Sequence, residues 1–409
     1  MESLAQMMER YGQAKARGLA LDMSRGKPGA DQLELSNALL DAALLVPAQT
    51  ETGVDCRNYG LLDGIPEAKR LCAQMLGVPE AQVIVGGNAS LTLMYDYLAQ
   101  CMLYGCGGQA PWSKQGAVKF LCPVPGYDRH FAILEHLGLE MVNVPMLQDG
   151  PDMAVVATLV KDPLVKGLIC VPKYSNPEGK TFSDAVVRAF AELKPAAPDF
   201  RVIWDNAYLV HDLYDSTDPL LNIFEAAAQQ GTEDHFIEVT SFSKITFPGG
   251  SISALAASPA NIEAIKARMF VQTIGPDKLN LLRHARYFKD LDGVKAHMRR
   301  HAAILRPKFE TVLDILARDL TGLATWTVPR GGYFISVELP AHCAKRTVQL
   351  LKEAGVALTP AGATFPYGRD PRDSVLRIAP TFPSLEELAA ATELFTLCAK
   401  IAIFEETSQ

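Results

Sequence analysis

Short β-branched segments alternate with longer helical segments through the middle of this 409-residue chain, and this alternation limits the possible fold most strongly. The pattern is typical of βα units, which build a parallel sheet covered by helices. The predicted strands are QVIV at 82–85, VKFLC at 118–122, GLICV at 167–171, RVIW at 201–204 and FIEVT at 236–240. Helices are predicted between them, at 90–104 and 182–194. We therefore expect an α/β fold.

The last third of the chain has a different pattern. A long helical period over 292–320 is followed by TWTVPRGGYFISVELP, a helix, the strand-like SVLRIAP and a final helix at 385–404. This order predicts a small α+β unit. The first 48 residues are too few for a core of their own and are expected to pack on it. We predict a large domain at 49–300 and a small domain formed by 1–48 and 301–409.

Composition and charge exclude several classes of protein. The 39 Lys and Arg residues against 46 Asp and Glu give a net charge of −7, the wrong sign for a nucleic-acid partner. The eight cysteines include no C-x-x-C pair, so we expect reduced thiols in the cytoplasm. No apolar run approaches the roughly 20 residues that span a bilayer, and charges interrupt the N-terminal segment. We therefore expect no membrane partner and no export.

Small polar and reactive residues follow each predicted strand. Ligands of open parallel sheets bind at the carboxyl ends of the strands, so these residues are the candidates for a site. The five segments are GGNAS at 86–90, PGY at 125–127, NPEG at 176–179, DNAY at 205–208 and SFSK at 241–244. One edge of the sheet is thus predicted to collect a helix start, two phenols, an amide, a carboxylate and an amine.

This set of groups matches the needs of pyridoxal phosphate (PLP). Glycines at a helix start present free N–H groups to a phosphate, and the absence of G-x-G-x-x-G disfavours a nicotinamide dinucleotide. Lys244 could form a Schiff base, and Asp205 could keep the pyridine nitrogen protonated. Asn176 and Tyr208 could bond the ring hydroxyl, and Tyr127 could cover the ring. Considered alone, a lysine such as Lys244 is more often a solvated side chain, and an aspartate such as Asp205 is more often a helix cap.

Four motifs in order carry a family resemblance. They are N-P-x-G at 176–179, D-x-x-Y at 205–208, S-x-S-K ending at Lys244, and Arg377 in LRIAP. With them the chain resembles the class I aminotransferases of PLP fold type I. The segments SRGKPG, RNYG, CPVPGYDRHF and IGPDKLN resemble a bacterial branch of aspartate aminotransferases related to the catalytic-like domains of MocR-type regulators. The resemblance implies reversible amino transfer from L-aspartate to 2-oxoglutarate, giving oxaloacetate and L-glutamate.

The resemblance also implies a role for individual residues. Lys244 would hold the cofactor and move the proton, with Asp205 and Tyr208 as the other catalytic groups. Gly26, Asn176 and Arg377 would bind substrate, Arg377 by clamping the α-carboxylate. Tyr59 would reach the phosphate from a neighbouring subunit, so a homodimer with shared active sites is expected. The cofactor contacts implied within one chain are Asn88, Ala89, Ser90, Tyr127, Asn176, Asp205, Tyr208, Ser241, Ser243, Lys244 and Ser251. No metal is expected.

The chain departs from the family after Lys244. The family commonly has Pro-Gly-x-Arg there, with the arginine paired to the phosphate. Here the segment ITFPGGS is one residue shorter and has Ser251 in the arginine's place. A hydroxyl cannot neutralise a phosphate dianion. Another cation, more contact with a helix dipole, or weaker cofactor binding must compensate.

A dicarboxylic substrate needs a second cation in the pocket, because an unpaired buried carboxylate is costly. Four cations lie in the segments that resemble the aspartate-specific branch: Arg25, Lys27, Arg129 and Lys278. Each one alone is expected to be a solvated surface charge. Together they predict that one of the four reaches the site.

Other interpretations compete with this one. The segment ending at Lys244 also satisfies S-x-x-K of β-lactamases, but their S-D-N and K-T-G companions are missing. His297 and His301 are spaced as in zinc proteases, without the glutamate of H-E-x-x-H. The same PLP groups also serve 2-aminoadipate and other transaminases, C–S lyases and PLP-binding sensor domains. MocR-type sensors carry a winged helix ahead of the fold, and with Gly26 already in the substrate loop we expect none here.

Overall fold

The computed structural model describes residues 3–408. The strands are β1 Leu21–Asp22, β2 Val83–Gly86, β3 Lys119–Val124, β4 Glu140–Pro145, β5 Val165–Cys170, β6 Arg201–Asp205, β7 Phe236–Ser241, β8 Ser253–Ala257, β9 Thr325–Trp326, β10 Ile335–Glu338, β11 Val356–Ala357 and β12 Val375–Ile378. The helices are α1 Leu4–Ala16, α2 Ala30–Glu34, α3 Pro66–Leu76, α4 Ser90–Tyr104, α5 Asp128–His136, α6 Met153–Leu159, α7 Asp184–Ala191, α8 Ile223–Ala228, α9 Pro259–Gln272, α10 Lys278–Phe288, α11 Leu291–Leu320, α12 Ala344–Glu353 and α13 Leu385–Thr407.

A seven-stranded sheet in the order β2-β8-β7-β6-β5-β3-β4 forms the centre of the molecule. Its strands are parallel except β8, which is antiparallel to both β2 and β7. The strands β5, β6, β7 and β8 are buried at every residue, because hydrophobic clusters cover both faces. The predicted α/β fold with a mostly parallel sheet is confirmed.

The five predicted strands are all present, and two further strands complete the sheet. The strand β4 lies at the sheet edge and pairs with β3 alone. The strand β8 has the sequence SALAA and inserts between β2 and β7. Alanine and serine are weak strand formers, so β8 depends on its two neighbours rather than on local preference.

A second unit forms around a smaller antiparallel sheet, β12-β10-β9. The N-terminal segment joins it, since β1 pairs in parallel with β11 and the Tyr11 hydroxyl donates to the Leu350 carbonyl at 2.9 Å. One hydrophobic cluster contains Met7, Tyr11 and Met23 together with side chains of α11, α12 and α13. The limits 49–300 and 301–409 stay a prediction; α11 runs through the boundary between them.

All eight cysteines are buried and unpaired. In the described part of the chain, no helix combines the length and the apolar character needed to cross a bilayer.

Candidate active site

The order of the central sheet brings the predicted site segments together. The strands β7, β6 and β5 are neighbours and β3 follows, so the segments after their carboxyl ends meet at one edge. The segment after β2 lies at the same edge, one strand beyond β7, because β8 pairs with both. Residues far apart in the sequence thus surround a single space.

Lys244 lies in a turn just after β7. Its Nζ atom is 5.2 Å from the ring centroid of Tyr208 and 5.8 Å from that of Tyr333. Burial lowers the pKa of Lys244, with Arg377 adding to this effect and the Asp205 carboxylate opposing it. A lowered pKa increases the neutral fraction of the amine, which is the form that can act as a nucleophile.

Asp205 ends β6 and is buried. Its Oδ2 accepts a hydrogen bond from Nε2 of His130 at 2.8 Å, whereas its Oδ1 is buried with no partner. A buried carboxylate oxygen without a donor is unusual and indicates a place for an external N–H group. Sequence reasoning missed His130, although its position three residues after Tyr127, on the first turn of α5, was a usable signal.

The two phenols predicted at the site remain protonated near neutral pH. Burial raises the pKa of Tyr127 to about 12, and the charges of Asp205 and Asp128 add to this effect. Burial also raises the pKa of Tyr208 well above its usual value. The Tyr127 ring meets His130 edge to face, at 4.8 Å between centroids, which fixes its orientation.

The segment 86–90 and the turn 241–243 form a cradle of small polar groups, here called the serine cradle. The Ser243 hydroxyl donates to the Asn88 carbonyl at 2.6 Å and bonds the Ser241 hydroxyl at 2.7 Å. The helix α4 begins at Ser90, and its N-cap residue Ala89 provides no side-chain cap. The Thr92 N–H donates to the Ala89 carbonyl at 3.1 Å, which leaves the N–H groups of Ser90 and Leu91 to bind an anion.

Arg377 on β12 faces the same site from the smaller sheet. Its Nη1 donates to Asp128 Oδ1 at 2.8 Å and to Asn176 Oδ1 at 3.0 Å, and its Nη2 donates to Thr359 Oγ1 at 3.2 Å. Its Nε is buried without a partner. The guanidinium also lies 4.7 Å from the ring centroid of Phe334. The Nε and Nη2 edge is the side left for a bound carboxylate.

Several of these partners were missed by sequence reasoning. Asp128, Thr359 and Phe334 contact Arg377, and no motif connects them with it. Gly26, which was predicted, is explained by Phe334: a Cβ at Gly26 would lie 2.4 Å from the Phe334 ring. The glycine thus allows the N-terminal loop to lie directly on a side chain that contacts Arg377.

Two residues predicted to contact the cofactor, Tyr59 and Ser251, contribute no side chain to the serine cradle of their own chain. Tyr59 is 78% exposed. The Ser251 hydroxyl is fully buried and donates to the Ile252 carbonyl at 3.1 Å.

The four candidate cations have different surroundings. Lys27 lies 4.0 Å from Asp22 and 3.7 Å from the Phe382 ring centroid. Lys278 is buried and donates to the Gly60 carbonyl at 3.1 Å. Arg25 and Arg129 are exposed.

Comparison with known proteins identifies the family. A family model described as aspartate amino-transferase matches residues 1–409. The chain belongs to this family. An aspartate aminotransferase of Corynebacterium glutamicum is 44% identical over 399 residues, which cover 97% of this chain and 92% of that protein. The predicted membership in the fold-type I aminotransferases and the predicted transaminase activity are confirmed.

Solved structures agree with the fold of this aminotransferase. An aspartate transaminase from Corynebacterium glutamicum, 44% identical, superimposes with a TM-score of 0.96 and covers 98% of this chain and 96% of its own. The α-aminoadipate aminotransferase of Thermus thermophilus, complexed with N-(5'-phosphopyridoxyl)-L-leucine, is 19% identical and shares the fold with a TM-score of 0.78, covering 98% and 95% of the two chains.

The two histidines of α11 form hydrogen bonds with each other and with the backbone. His297 and His301 bond each other at 3.1 Å, and His297 also contacts the Ile245 carbonyl at 2.9 Å. Within residues 3–408, no group of three His, Cys, Asp or Glu side chains is placed to hold a metal ion.

Proposed function

We propose that this aminotransferase uses PLP to transfer the amino group of L-aspartate to 2-oxoglutarate, giving oxaloacetate and L-glutamate. The observation that carries the cofactor assignment is the free Oδ1 of Asp205, buried beside a hydrogen-bonded Oδ2 and near Lys244. A protonated pyridine nitrogen is the donor that suits this oxygen. The serine cradle offers free helix N–H groups for the phosphate, and the space beside Gly87 is open to 4 Å.

Each side chain then has a task in the reaction. When bound, PLP supplies an electron sink that stabilises negative charge on the substrate Cα. Asp205 would hold the proton on the ring nitrogen, while His130 fixes the Asp205 carboxylate. Lys244 would hold the cofactor through Nζ, and its neutral amine would accept the proton of the substrate Cα. Asn176 and Tyr208 would hold the ring hydroxyl, and Tyr127 would cover one face of the ring.

Arg377 orients the substrate by its α-carboxylate. Hydrogen bonds to Asp128, Asn176 and Thr359 occupy part of the Arg377 guanidinium and fix its plane. The free Nε lies on the edge that remains for the ligand. Fixed orientation reduces the ordering entropy lost when substrate binds. The name of the 44% identical relative, aspartate aminotransferase, supports a dicarboxylic substrate. One of Arg25, Lys27, Arg129 and Lys278 would bind the second carboxylate.

A homodimer would explain the apolar side chains left on the surface. Tyr59, Phe270, Val271 and Ile274 are 78%, 80%, 86% and 62% exposed. Large exposed apolar groups in one region of a chain indicate an interface. In such a dimer Tyr59 would reach the phosphate of the partner's site.

The first experiment tests the cofactor and the substrate together. The purified protein is expected to be yellow, and Lys244→Ala to lose the visible band after dialysis against an amine, while the exposed control Lys295→Ala keeps it. Reaction of the cofactor is then followed by absorbance with aspartate, glutamate, alanine, phenylalanine and 2-aminoadipate. A protein that stays colourless and inactive with added PLP contradicts the cofactor assignment. Alanine or phenylalanine reacting about tenfold faster than aspartate contradicts the dicarboxylate assignment alone.

A further inference from the structure

The loop that follows Lys244 contains no cation, although it borders the serine cradle. Residues 245–252 read ITFPGGSI. Ser251 uses its hydroxyl on the Ile252 carbonyl at 3.1 Å. A phosphate dianion in the cradle would therefore need a positive group from another part of the chain, because hydroxyls and N–H groups leave most of its charge uncompensated.

The strand pairing places this loop at the edge that carries the cradle. Ser253, the first residue of β8, pairs with Gly86 on one side and with Ser241 on the other. Since β8 is antiparallel to both neighbours, Gly250 extends beyond the edge at which β2 and β7 end. Nδ2 of Asn88 donates to the Pro248 carbonyl at 3.1 Å, so the cradle and the loop are in direct contact.

Arg283 of α10 reaches this loop. Its Nη2 lies 3.4 Å from the position that a Cβ on Gly250 would take. Its Nε donates to Asn280 Oδ1 at 2.8 Å, and Asn280 Nδ2 donates to the Ser251 carbonyl at 2.8 Å. Asn280 thus fixes the guanidinium against the loop.

The guanidinium of Arg283 has N–H groups that are free to bind an anion. Within the described residues it forms no ion pair, and its Nη groups make no hydrogen bond. Arg286, one turn further along α10, differs because its Nη groups donate to the carbonyls of Leu44, Pro47 and Gln49. Arg286 therefore links α10 to the backbone of the N-terminal segment. The half-buried guanidinium of Arg283 instead faces the loop with its Nη groups free.

We propose that Arg283 binds the phosphate of PLP and compensates for the arginine that is missing at position 251. The proposal rests on the proposed PLP function. A Cβ at Gly250 would only reach van der Waals contact with Nη2, so the guanidinium lies directly against the loop backbone. A guanidinium held by Nε has two Nη groups free for phosphate oxygens, which makes the contact charge-assisted and specific.

The test compares cofactor binding with and without the phosphate. The apo form is titrated with PLP and with pyridoxal, which lacks the phosphate, and the dissociation constants are measured by absorbance. Arg283→Gln is expected to weaken PLP binding by about 10- to 100-fold and pyridoxal binding by less than about twofold. Arg283→Lys should recover part of the loss, and the exposed control Arg299→Gln should bind both like the wild type.

Phosphorus NMR of the bound cofactor gives a second readout that is independent of activity. In the wild type the phosphate should stay a dianion between about pH 5.5 and 8, whereas in Arg283→Gln its signal should titrate near the usual value of about 6. Equal loss of PLP and pyridoxal binding, or unchanged PLP binding in Arg283→Gln, would overturn the assignment of Arg283. Wild-type protein that binds neither compound overturns the PLP function itself and this proposal with it.

Discussion

Asp205 has one oxygen held by His130 and one without a partner, and this asymmetry predicts how its substitution acts. Asp205→Asn keeps the shape but removes the charge that would hold a proton on the ring nitrogen. We expect removal of the substrate Cα proton to slow by about 100-fold or more, with unchanged folding by circular dichroism. Single-turnover absorbance with aspartate measures the rate. A loss smaller than about tenfold would assign the task to another group.

The residues that could be predicted from the sequence are those whose neighbours in the chain reveal them. Asp205 is the last residue of β6 and Lys244 lies in the turn after β7, so the strands locate both residues. His130 and Thr359 lie 75 and 18 residues from the groups they bond, Asp205 and Arg377. The position of His130 near Tyr127 places it at the site, but no local pattern encodes which group either residue bonds, because that depends on how strands and loops are arranged in space.

At the scale of elements, β7 contains a buried acid whose titration is predictable. Burial raises the pKa of Glu238 from 4.5 to about 8, although the Asn206 amide donates to its Oε1 at 2.8 Å. The folded chain therefore binds more protons than the unfolded chain between pH 4.5 and 8. By linkage, the free energy of unfolding falls as the pH rises through this window.

Glu238→Gln should remove much of this pH dependence, since the amide has a similar shape and no proton to lose. Between pH 5 and 8 the wild type should lose about 3 kcal/mol more unfolding free energy than the variant. Urea unfolding at both pH values and one protein concentration measures it. The exposed control Glu135→Gln should behave like the wild type. Parallel pH profiles for Glu238→Gln and wild type would mean that Glu238 is ionised in the fold.

The strands that sequence analysis missed show where local patterns fail. The helix α4 was predicted with its observed bounds, because an apolar helical period and a preceding Gly-Gly turn agree. The strand β4 buries only Met141 and Val144, three positions apart, and ends in Pro145, which suits an edge strand but resembles a loop. The strand β8 consists of small residues and is stabilised by its pairing with β2 and β7. Its antiparallel direction can be seen only in the folded sheet.

At the scale of the whole molecule, the helices α1 and α13, from opposite ends of the described chain, share one hydrophobic core. The Tyr11 hydroxyl and the Leu350 carbonyl are 339 residues apart and bond at 2.9 Å. The sequence predicted that the first 48 residues pack on the C-terminal unit only because they are too few to fold alone. The parallel pairing of β1 with β11 could not be predicted, since two-residue strands have no periodicity to detect.

Tyr59 allows the dimer itself to be tested, because its exposed ring is proposed to complete the partner's site. Tyr59→Phe subunits keep Lys244 but lose the phosphate hydrogen bond, and Lys244→Ala subunits keep Tyr59. The two variants are mixed in equal amounts, unfolded together and refolded. Random pairing then makes about half of the dimers heterodimers, and each heterodimer has one wild-type site. About a quarter of all sites are therefore wild type. At a PLP concentration too low to load Tyr59→Phe homodimers, we expect this fraction of wild-type activity to return. Activity that stays at the sum of the separately refolded variants would place Tyr59 outside the partner's site, as would wild-type PLP affinity in Tyr59→Phe alone.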